Sequence, residues 1–540
     1  MSKKTPIIAA VIDIGSSELR LHIAQAAAQP LFADNMPSGL PVRLEASNGS
    51  GIQLEAVSYL ESLSFPLSLG RDTFHAGKMS FDKIDTACEV IKNFLHVAKG
   101  YGVRPQNVRT IASTAMREAA NLDYILDQIK IKTGVNVHVM DDLEEKTYIC
   151  KLLTHYAEDS LKKSAVIVYI GTGSIGVNLF VDGKMPRTWN IRVGSLRMSE
   201  LFGDLQEYTR EFYRLMEEYL AGYTYKLRQE LPKGIHHFIV SGQEIDAIAN
   251  LTTGVVPPLE TPLFEIPRNN FQALYDRIKR QTTDRIASTN YLDADKAESL
   301  LPAACIYQNL LDCTAADVIT ASRMLPCDAI LFEMLYPKRF AAINKRFEKG
   351  TVLSARELAK RHNANIPHSE LVRDFAIMIF DKIRKLHGLG NRDEILLTVA
   401  AYLHDIGESV NTLDHHKISY GLVRRSDIVG LTQSEQEIVA LICRYHSATP
   451  DLDASCYTIL PPETKVRVSK LAAMLRLADS IDRSHTQKSN NIDVKLSENS
   501  LLITITADKN LALEQWAFAE KGRFFEEVFG IKASLRVRKV

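Results

Sequence analysis

The fold is decided by Val11-Ile12-Asp13-Ile14-Gly15-Ser16-Ser17, where an apolar run ends at a glycine and a second apolar run follows. The same pattern returns as Ile167-Val168-Tyr169-Ile170-Gly171-Thr172-Gly173-Ser174. Each copy predicts a strand, a tight turn and a second strand. Glycine lets the backbone of such a turn approach an anion closely, and successive N–H groups can surround a phosphate. Two copies therefore predict a duplicated domain with a phosphate site between its halves.

Composition limits the classes of protein and partner. The 540 residues are too many for one hydrophobic core, and their apolar content of 46% is typical of a soluble globular protein. The 65 basic and 65 acidic residues balance, so no global charge attracts nucleic acid or an anionic membrane. We therefore expect neither as a partner.

Cysteine usage and hydropathy predict the compartment. The seven cysteines are scattered without a CxxC pair, which argues against a disulfide framework and a zinc ribbon and favours reduced, buried thiols. No apolar run approaches the roughly 20 residues that span a bilayer. The sequence therefore predicts a cytoplasmic protein.

Strand and helix signals change along the chain. They alternate over the first third, which is typical of an α/β layered domain. Between about 345 and 485 apolar residues recur almost only at helical spacing, as in 371–380. The end of the chain predicts strands at 492–496 and 501–506, a helix at 511–529 and a strand at 534–539.

Four further segments carry glycine or charge where a predicted strand ends. Within 111–119, Arg117 lies in the opening turn of a helix, where an anion also meets the helix dipole. The segment 139–146 supplies four acidic residues at another strand-to-helix junction, and 192–198 and 239–244 are turns with glycine. Ligands gather at such strand ends in α/β sheets.

These segments, in this order, resemble the exopolyphosphatase and guanosine pentaphosphate phosphohydrolase (Ppx/GppA) family. The resemblance continues through 296–298 to 511–516 and covers nearly the whole chain. It implies two ribonuclease-H-like halves of the actin-like ATPase superfamily with a cleft between them. It also implies release of terminal phosphate from inorganic polyphosphate or guanosine pentaphosphate (pppGpp), with Mg²⁺ or Mn²⁺ as cofactor, by a homodimer. The residues do not choose between these substrates, which present the same terminal group.

The resemblance also assigns roles to individual residues. Glu145 would position and deprotonate the attacking water, and Arg117 would clamp the terminal phosphate. The implied phosphate-binding residues are Asp13, Gly15, Ser16, Gly171, Thr172, Gly173 and Ser174.

The chain departs from the family pattern at four positions. Tyr169 and Gly176 replace carboxylates, so we expect weaker metal recruitment with the backbone turn preserved, because hard cations need oxygen ligands. Gln243 replaces the threonine of a later Ser-Gly-Thr turn, and Lys146 replaces the alanine after the glutamate.

The helical segment carries a second constellation. The pair His404-Asp405 ends an apolar helix, His368 begins an earlier helix and Asp479 lies on a later one. The set resembles the signature of HD-type metal-dependent phosphohydrolases and predicts a second metal at these four side chains. Imidazole and carboxylate together suit iron, manganese, magnesium or zinc, and such a metal could lower the pKa of bound water.

Additional histidines lie nearby at His415, His416 and His446. Adjacent histidines such as the first two are more typical of solvated or polyanion-contacting side chains than of ligands. They stay outside the predicted metal set.

Together these features predict an α/β protein of four domains. An N-terminal actin-like half at 1–135 is followed by a second half with a helical end at 136–344. An all-α HD-type domain at 345–489 and a small α/β domain at 490–540 complete the prediction.

Three hypotheses for function remain. The leading one is a phosphohydrolase that releases terminal phosphate in the cleft. The second is a catalytically impaired sensor of polyphosphate or alarmone, which Tyr169 and Gly176 favour. The third is a metal-dependent phosphohydrolase acting through the HD-type domain, which the pair His404-Asp405 favours.

Overall fold

The protein comprises two compact units, Met1–Phe347 and Glu348–Val540. The computed structural model describes residues 7–26, 57–206, 212–258, 261–447, 455–489 and 491–539. The division into four domains stays a prediction.

The first unit combines strands and helices throughout. Its strands are β1 (Ile8–Ile14), β2 (Glu18–Ala26), β3 (Val57–Pro66), β4 (Val108–Ala112), β5 (His138–Val139), β6 (Ala165–Ile170), β7 (Ile175–Val181), β8 (Lys184–Ile191), β9 (His237–Gly242), β10 (Phe264–Pro267) and β11 (Val318–Ser322). Its helices are α1 (Leu69–Ala76), α2 (Phe81–Gly100), α3 (Thr114–Arg117), α4 (Leu122–Thr133), α5 (Asp142–Tyr156), α6 (Glu158–Leu161), α7 (Ser195–Gln206), α8 (Phe212–Glu230), α9 (Ile245–Thr253), α10 (Arg268–Ile278), α11 (Thr283–Asn290), α12 (Ala294–Leu311) and α13 (Pro326–Leu335), and α14 (Pro337–Arg361) begins in this unit.

The two sheets of the first unit repeat one topology. In the first, β1, β2 and β3 form an antiparallel meander, and β4 and β5 continue the sheet in parallel from β1. In the second, β6, β7 and β8 form the same meander, β9 and β11 continue in parallel, and β10 adds an antiparallel edge. The order β3-β2-β1-β4-β5 thus matches β8-β7-β6-β9-β11, which confirms the predicted pair of ribonuclease-H-like halves.

The central strands explain why the two turns lie where they do. Nearly every residue of β1 and every residue of β6 is buried, because both faces of each sheet are covered. Both strands therefore read as continuous apolar runs, and each ends in its glycine turn.

Helix α13 returns the chain to the first sheet. Asp328 in its first turn accepts a hydrogen bond from Tyr59 Oη of β3 at 2.7 Å, and the same oxygen lies 2.9 Å from His22 Nδ1 of β2. Asp328 and His22 are both buried. A late segment of the first unit therefore completes the packing of its earliest strands.

The second unit is helical up to a small C-terminal sheet. Its elements are α15 (Ile366–Lys382), α16 (Arg384–His387), α17 (Asn391–Leu403), α18 (His415–Arg425), α19 (Gln433–Tyr445), α20 (Ser455–Thr458), α21 (Pro462–Ser480), β12 (Asn491–Ser497), β13 (Ser500–Ala507), α22 (Ala512–Phe529) and β14 (Lys532–Lys539). The predicted C-terminal strands and helix are confirmed to within two residues. The sheet order is β12-β13-β14, with β12 antiparallel and β14 parallel to β13. One hydrophobic core, containing Leu475, Ile503 and Phe525, joins helices and sheet.

Two expectations from composition can be compared with the structure. All seven cysteines are unpaired, but Cys313 and Cys456 are only partly buried, so the expectation of buried thiols is wrong for these two. Over the described residues, every helix is too short or too polar to cross a membrane.

Close backbone packing at Gly194 provides a test of the fold. A Cβ at this position would lie 2.4 Å from the carbonyl oxygens of Gly171 and Thr172. The backbone cannot easily retreat, because Ser195 N donates to Gly171 O at 3.3 Å and Arg197 N donates to Thr172 O at 3.1 Å.

We expect Gly194→Ala to lower the free energy of unfolding by about 1–3 kcal/mol or more, since the added methyl group overlaps fixed backbone atoms. The control is Gly222→Ala in the exposed part of α8, where a Cβ meets nothing within 4 Å. There alanine should be neutral or stabilise by about 0.5–1 kcal/mol. Urea unfolding of both variants gives the comparison, and equal stabilities would contradict the packing described.

Candidate active site

The two glycine turns have the same hydrogen-bonded geometry. The N–H of Gly15 donates to the carbonyl of Glu18 at 3.0 Å, and the N–H of Gly171 donates to that of Ser174 at 2.9 Å. Each turn links the first two strands of its sheet. The duplication predicted from sequence therefore extends to the backbone of the turns.

The two turns also meet each other. Ser16 Oγ lies 3.4 Å from Thr172 Oγ1, and both side chains are buried. Gly173 packs on Thr114 at the start of α3, where a Cβ would approach Thr114 Cγ2 to 3.0 Å. The two predicted phosphate-binding turns thus meet at Ser16 and Thr172, whereas the hydroxyl of Ser174 donates to Asp142 Oδ1.

Helix α5 carries Glu145 in its first turn. The side chain of Asp141 accepts from the N–H groups of Leu143 and Glu144 at 3.0 and 2.8 Å, and the side chain of Glu144 returns to the N–H of Asp141. This capping box fixes where the helix begins. It therefore also fixes the direction of Glu145.

Glu145 is a buried carboxylate with few partners. Tyr169 Oη donates to Glu145 Oε1 at 2.8 Å. Burial raises the pKa of Glu145, while the charge of Arg117 and the hydrogen bond from Tyr169 partly oppose that rise. A carboxylate with a raised pKa is a stronger base, which suits proton abstraction from water.

Arg117 is held in place by two neutral acceptors. Its Nη1 donates to the carbonyl of Met140 at 2.7 Å, and its Nη2 donates to Thr114 Oγ1 at 3.1 Å. Neither acceptor neutralises the guanidinium. The side chain is thus oriented while its charge still acts on Glu145 and is available to an anion.

Lys146 and Gly176, two departures from the family pattern, are structurally coupled. A Cβ at Gly176 would lie 2.9 Å from Lys146 Cδ. The lysine therefore fills the space that a longer side chain at position 176 would need. Its Nζ donates to Asp142 Oδ2 at 2.7 Å and also to Asn190 Oδ1.

Asp142 is the acid that balances this lysine. Burial alone would raise its pKa, but the charge of Lys146 and hydrogen bonds from Lys146, Ser174 and Asn190 lower it to about 2. Asp142 is therefore ionised at neutral pH and committed to these partners. It does not act as a proton carrier.

Asp13 supplies a carboxylate that can contribute to a cation site. Asp13 is buried, and its Oδ2 lies 3.6 Å from Arg20 Nη1. Burial raises the pKa of Asp13 despite this arginine. Burial also raises the pKa of Tyr169, and the charges of Glu145 and Asp13 raise it further. Mg²⁺ is commonly held by one or two carboxylates together with substrate phosphates. The residues fit a cation that binds together with the substrate.

The structure also brings in residues to which the sequence assigned no role. Asn190 on β8 donates to Asp142 Oδ2 at 2.7 Å. Ser195 Oγ donates to Glu244 Oε1 at 2.6 Å, and burial raises the pKa of Glu244. Gln243 directly follows β9, beside this acid. In the sequence, Glu244 belongs to one of the turns at predicted strand ends, whereas no motif or spacing predicted a role for Asn190.

The second unit brings the four predicted metal residues together. His404 Nε2 lies 3.3 Å from His368 Nε2 and 3.1 Å from Asp405 Oδ2. His368 Nε2 lies 3.5 Å from Asp405 Oδ2 and 3.4 Å from Asp479 Oδ1. All four side chains are buried. Four ligand atoms thus converge from α15, the end of α17 and α21.

The chain matches two models of one protein family and is similar to several of its members. A model of the Ppx/GppA phosphatase family matches residues 50–335, and a model of Ppx/GppA phosphatase, domain III, matches residues 352–520. The chain is 22% identical over 416 residues to a guanosine-5'-triphosphate,3'-diphosphate pyrophosphatase of Photobacterium profundum, covering 74% of this chain and 78% of the relative. A protein of the same name from Aliivibrio fischeri is 20% identical over 412 residues, covering 75% and 78%. A solved Ppx/GppA family member from Aquifex aeolicus aligns with a TM-score of 0.48 at 20% identity, over 62% of this chain and 99% of that chain.

The pair of half-buried Asp142 and buried Lys146 gives a stability prediction. We expect Lys146→Met to lower the free energy of unfolding at pH 7 by about 1–3 kcal/mol, because a half-buried carboxylate loses its charge partner. The pKa of Asp142 is lowered on folding from 3.8 to about 2. Its contribution is therefore complete above pH 3.8 and is lost as the pH falls through about 2.

Lys162→Met serves as the matched control, since Lys162 makes an exposed pair with Asp159. That variant should leave the free energy of unfolding unchanged. Urea unfolding at pH 7 measures both, and similar losses in the two variants would refute the role given to Lys146.

Proposed function

Because the chain belongs to the Ppx/GppA phosphatase family, we propose that its first unit hydrolyses the terminal phosphoanhydride of inorganic polyphosphate or guanosine pentaphosphate. The observation that carries the proposal is Glu145, a buried carboxylate of raised pKa beside the paired glycine turns. The relatives from Photobacterium profundum and Aliivibrio fischeri, named as guanosine-5'-triphosphate,3'-diphosphate pyrophosphatases, support this substrate class.

In the proposed reaction the terminal phosphoryl group lies beside the contact between the two turns. The hydroxyls of Ser16 and Thr172, 3.4 Å apart at this contact, would donate to the phosphoryl oxygens, and Arg117 would offset their negative charge. Glu145 takes a proton from a water molecule while the water oxygen bonds to phosphorus. The anhydride P–O bond breaks, and the shortened chain leaves with the bridging oxygen.

A divalent cation, Mg²⁺ or Mn²⁺, fits this scheme as a partner of the substrate. Asp13 would hold it together with phosphate oxygens, and it would offset charge on the phosphoryl group. Asp142 is excluded from this role, since Lys146 and Asn190 donate to its Oδ2 and Ser174 donates to its Oδ1.

The central test is Glu145→Gln, which keeps the shape of the side chain but removes the base. We expect phosphate release from long-chain polyphosphate and from guanosine pentaphosphate to fall about 10²–10⁴-fold, with Mg²⁺ or Mn²⁺ present. Glu144→Gln is the matched control, because the neighbouring carboxylate caps the helix and contacts His138 instead.

The same assay separates the competing functions. Tight substrate binding without turnover in the parent protein would favour the sensor hypothesis. Loss of activity in the double variant His404→Ala, Asp405→Ala, with activity retained in Glu145→Gln, would assign the chemistry to the second unit. Full activity in Glu145→Gln would reject the base assignment.

Tyr169→Phe tests the electrostatics of the base. The hydrogen bond from Tyr169 lowers the pKa of Glu145 against the effect of burial, so its removal should raise that pKa further. Activity needs the ionised carboxylate and is lost as the pH falls through its raised pKa. The acid limb of the kcat/KM profile should therefore move to higher pH in the variant. An unchanged limb, or a shift to lower pH, would contradict the proposed role.

The second unit supports a second candidate function, metal-dependent phosphoester hydrolysis. Its four predicted ligands, His368, His404, Asp405 and Asp479, present atoms separated by 3.1–3.8 Å. Two atoms that each lie about 2.0–2.2 Å from one metal are about 3.0–3.5 Å apart. These four side chains would hold a single cation that lowers the pKa of a bound water.

A further inference from the structure

Four buried histidines of the second unit share one hydrogen-bond pattern. In each, Nδ1 lies against an oxygen acceptor: His368 on Asp482 Oδ2 at 2.9 Å, His404 on Ala401 O at 2.9 Å, His415 on Thr412 O at 2.7 Å and His446 on Cys443 O at 2.6 Å. Carbonyl and carboxylate oxygens only accept, so Nδ1 carries a proton. In the neutral ring Nε2 then carries a lone pair. This pattern is typical of metal-binding histidines.

The Nε2 atoms of these histidines meet in two pairs. His368 and His404 bring theirs to 3.3 Å, and His415 and His446 bring theirs to 3.2 Å. Lone pairs that face each other at this distance repel. A positive charge between the two Nε2 atoms of each pair would remove this repulsion.

Asp405 presents one carboxylate oxygen to each pair. Its Oδ2 lies 3.5 Å from His368 Nε2 and 3.1 Å from His404 Nε2. Its Oδ1 lies 3.6 Å from His415 Nε2 and 3.1 Å from His446 Nε2. The carboxylate thus stands between two groups of acceptor atoms.

The distances favour metal cations over shared protons as the positive charges. A proton satisfies one donor and one acceptor. Each Nε2, however, faces both another nitrogen and an Asp405 oxygen within 3.6 Å. Such spacing fits atoms bound to a common metal at about 2.0–2.2 Å.

We propose that the second unit holds two divalent metal ions bridged by Asp405. This inference rests on the proposed single-metal centre and adds a second site, formed by Asp405 Oδ1, His415 and His446. The carboxylate of Glu408 lies in the same group, within 4.8 Å of Asp405 and His415 ligand atoms. Sites rich in imidazole suit zinc or iron rather than Mg²⁺. The expectation that His415 stays outside the metal set is thereby revised.

Surrounding contacts hold the ligands of the first position. Asp482, which orients His368, accepts from Gln487 N at 2.8 Å and from Gln487 Nε2 at 3.0 Å. Asp479 directs Oδ1 to His368 and contacts the buried ammonium of Lys521 through Oδ2. Both arrangements fix a ligand without using the atom that faces the metal.

A carboxylate-bridged pair of metals suits phosphoester hydrolysis. Two metals about 3.5–4 Å apart can stabilise the attacking and the leaving oxygen of an in-line displacement. The oxygen of water bonds to phosphorus, the ester P–O bond breaks, and the proton from the water passes to the leaving oxygen. The second unit would thus act on phosphoesters separately from the phosphoanhydride cleft.

Metal content of the full-length protein tests the proposal. After loading with Zn²⁺ or Fe²⁺ and removal of excess metal, elemental analysis should give two ions per chain. We expect one ion per chain in His446→Gln and in His415→Ala. His416→Ala is the matched control. His416 is adjacent to His415 in sequence, but among the described residues it belongs to none of the side-chain clusters that could bind a metal. It should retain two ions.

The possible results are distinguishable. One ion per chain in the parent, unchanged by His446→Gln, overturns the second position and leaves the single-metal centre standing. No ion in any loaded sample overturns both. Glu145→Gln should retain both metals, so failure of the cleft proposal leaves this measurement unaffected.

Electron paramagnetic resonance, combined with circular dichroism, distinguishes loss of a metal site from misfolding of a variant. Two Mn²⁺ ions that share a carboxylate interact magnetically, so the loaded parent should give a coupled electron paramagnetic resonance spectrum. His446→Gln should give the spectrum of isolated Mn²⁺ while its circular dichroism matches the parent. A spectrum of isolated ions in the parent would overturn the bridge.

Hydrolysis of p-nitrophenyl phosphate and bis(p-nitrophenyl) phosphate tests the reaction class. The metal-loaded parent and Glu145→Gln should both hydrolyse at least one of these esters, and His446→Gln should lose at least 10-fold in rate. A parent that binds two metals but hydrolyses neither ester would overturn the assigned chemistry.

Discussion

The first unit depends on how closely its two glycine turns approach other backbone. Gly194 fits against the second turn only because it lacks a Cβ, and Ser16 of the first turn reaches Thr172 of the second. Contacts between main chains leave little freedom for adjustment. A slip of one residue in a strand leading into either turn would reverse which side chains face the core. The two turns therefore meet only if the strands of both sheets pair in the observed register.

Charge is buried beside these turns in two different ways. Asp142 and Lys146 offset each other's desolvation, with Asn190 as a third partner, and the pKa of Asp142 falls to about 2. Glu145 receives one hydrogen bond from Tyr169 and the more distant charge of Arg117, and its pKa stays raised. Two acids in the first turn of one helix thus acquire opposite pKa shifts. Such divergence separates a structural acid from a candidate base.

This arrangement changes the meaning of the departures from the family pattern. Tyr169 stands where the family pattern has an acidic residue, and its hydroxyl donates a hydrogen bond to Glu145. Lys146 occupies the room left above Gly176. The substitutions therefore form a consistent packing arrangement, in which a loss at one position is matched by a group at another.

Local sequence patterns predicted the elements well, and contacts between distant segments were the part they missed. The apolar runs around Gly15 and Gly171 predicted the paired hairpins, and the helical spacing of 371–380 predicted α15. No spacing rule links Asn190 to Asp142, or His446 to Asp405, because their distance in space depends on how whole elements pack. The resemblance to known families placed Glu145 and His404, whose catalytic and metal-binding roles stay predictions.

Helix α13 has a consequence for the order in which the protein can be made. Asp328 is 306 residues beyond His22 and 269 beyond Tyr59, yet it provides the buried acceptor that both contact. During synthesis on the ribosome, the earliest strands must wait for almost the whole first unit before this contact can form. A fragment ending at residue 135 would lack its acceptor. The contacts of Asp328 with β2 and β3 are therefore among the last in the N-terminal half that can form during translation.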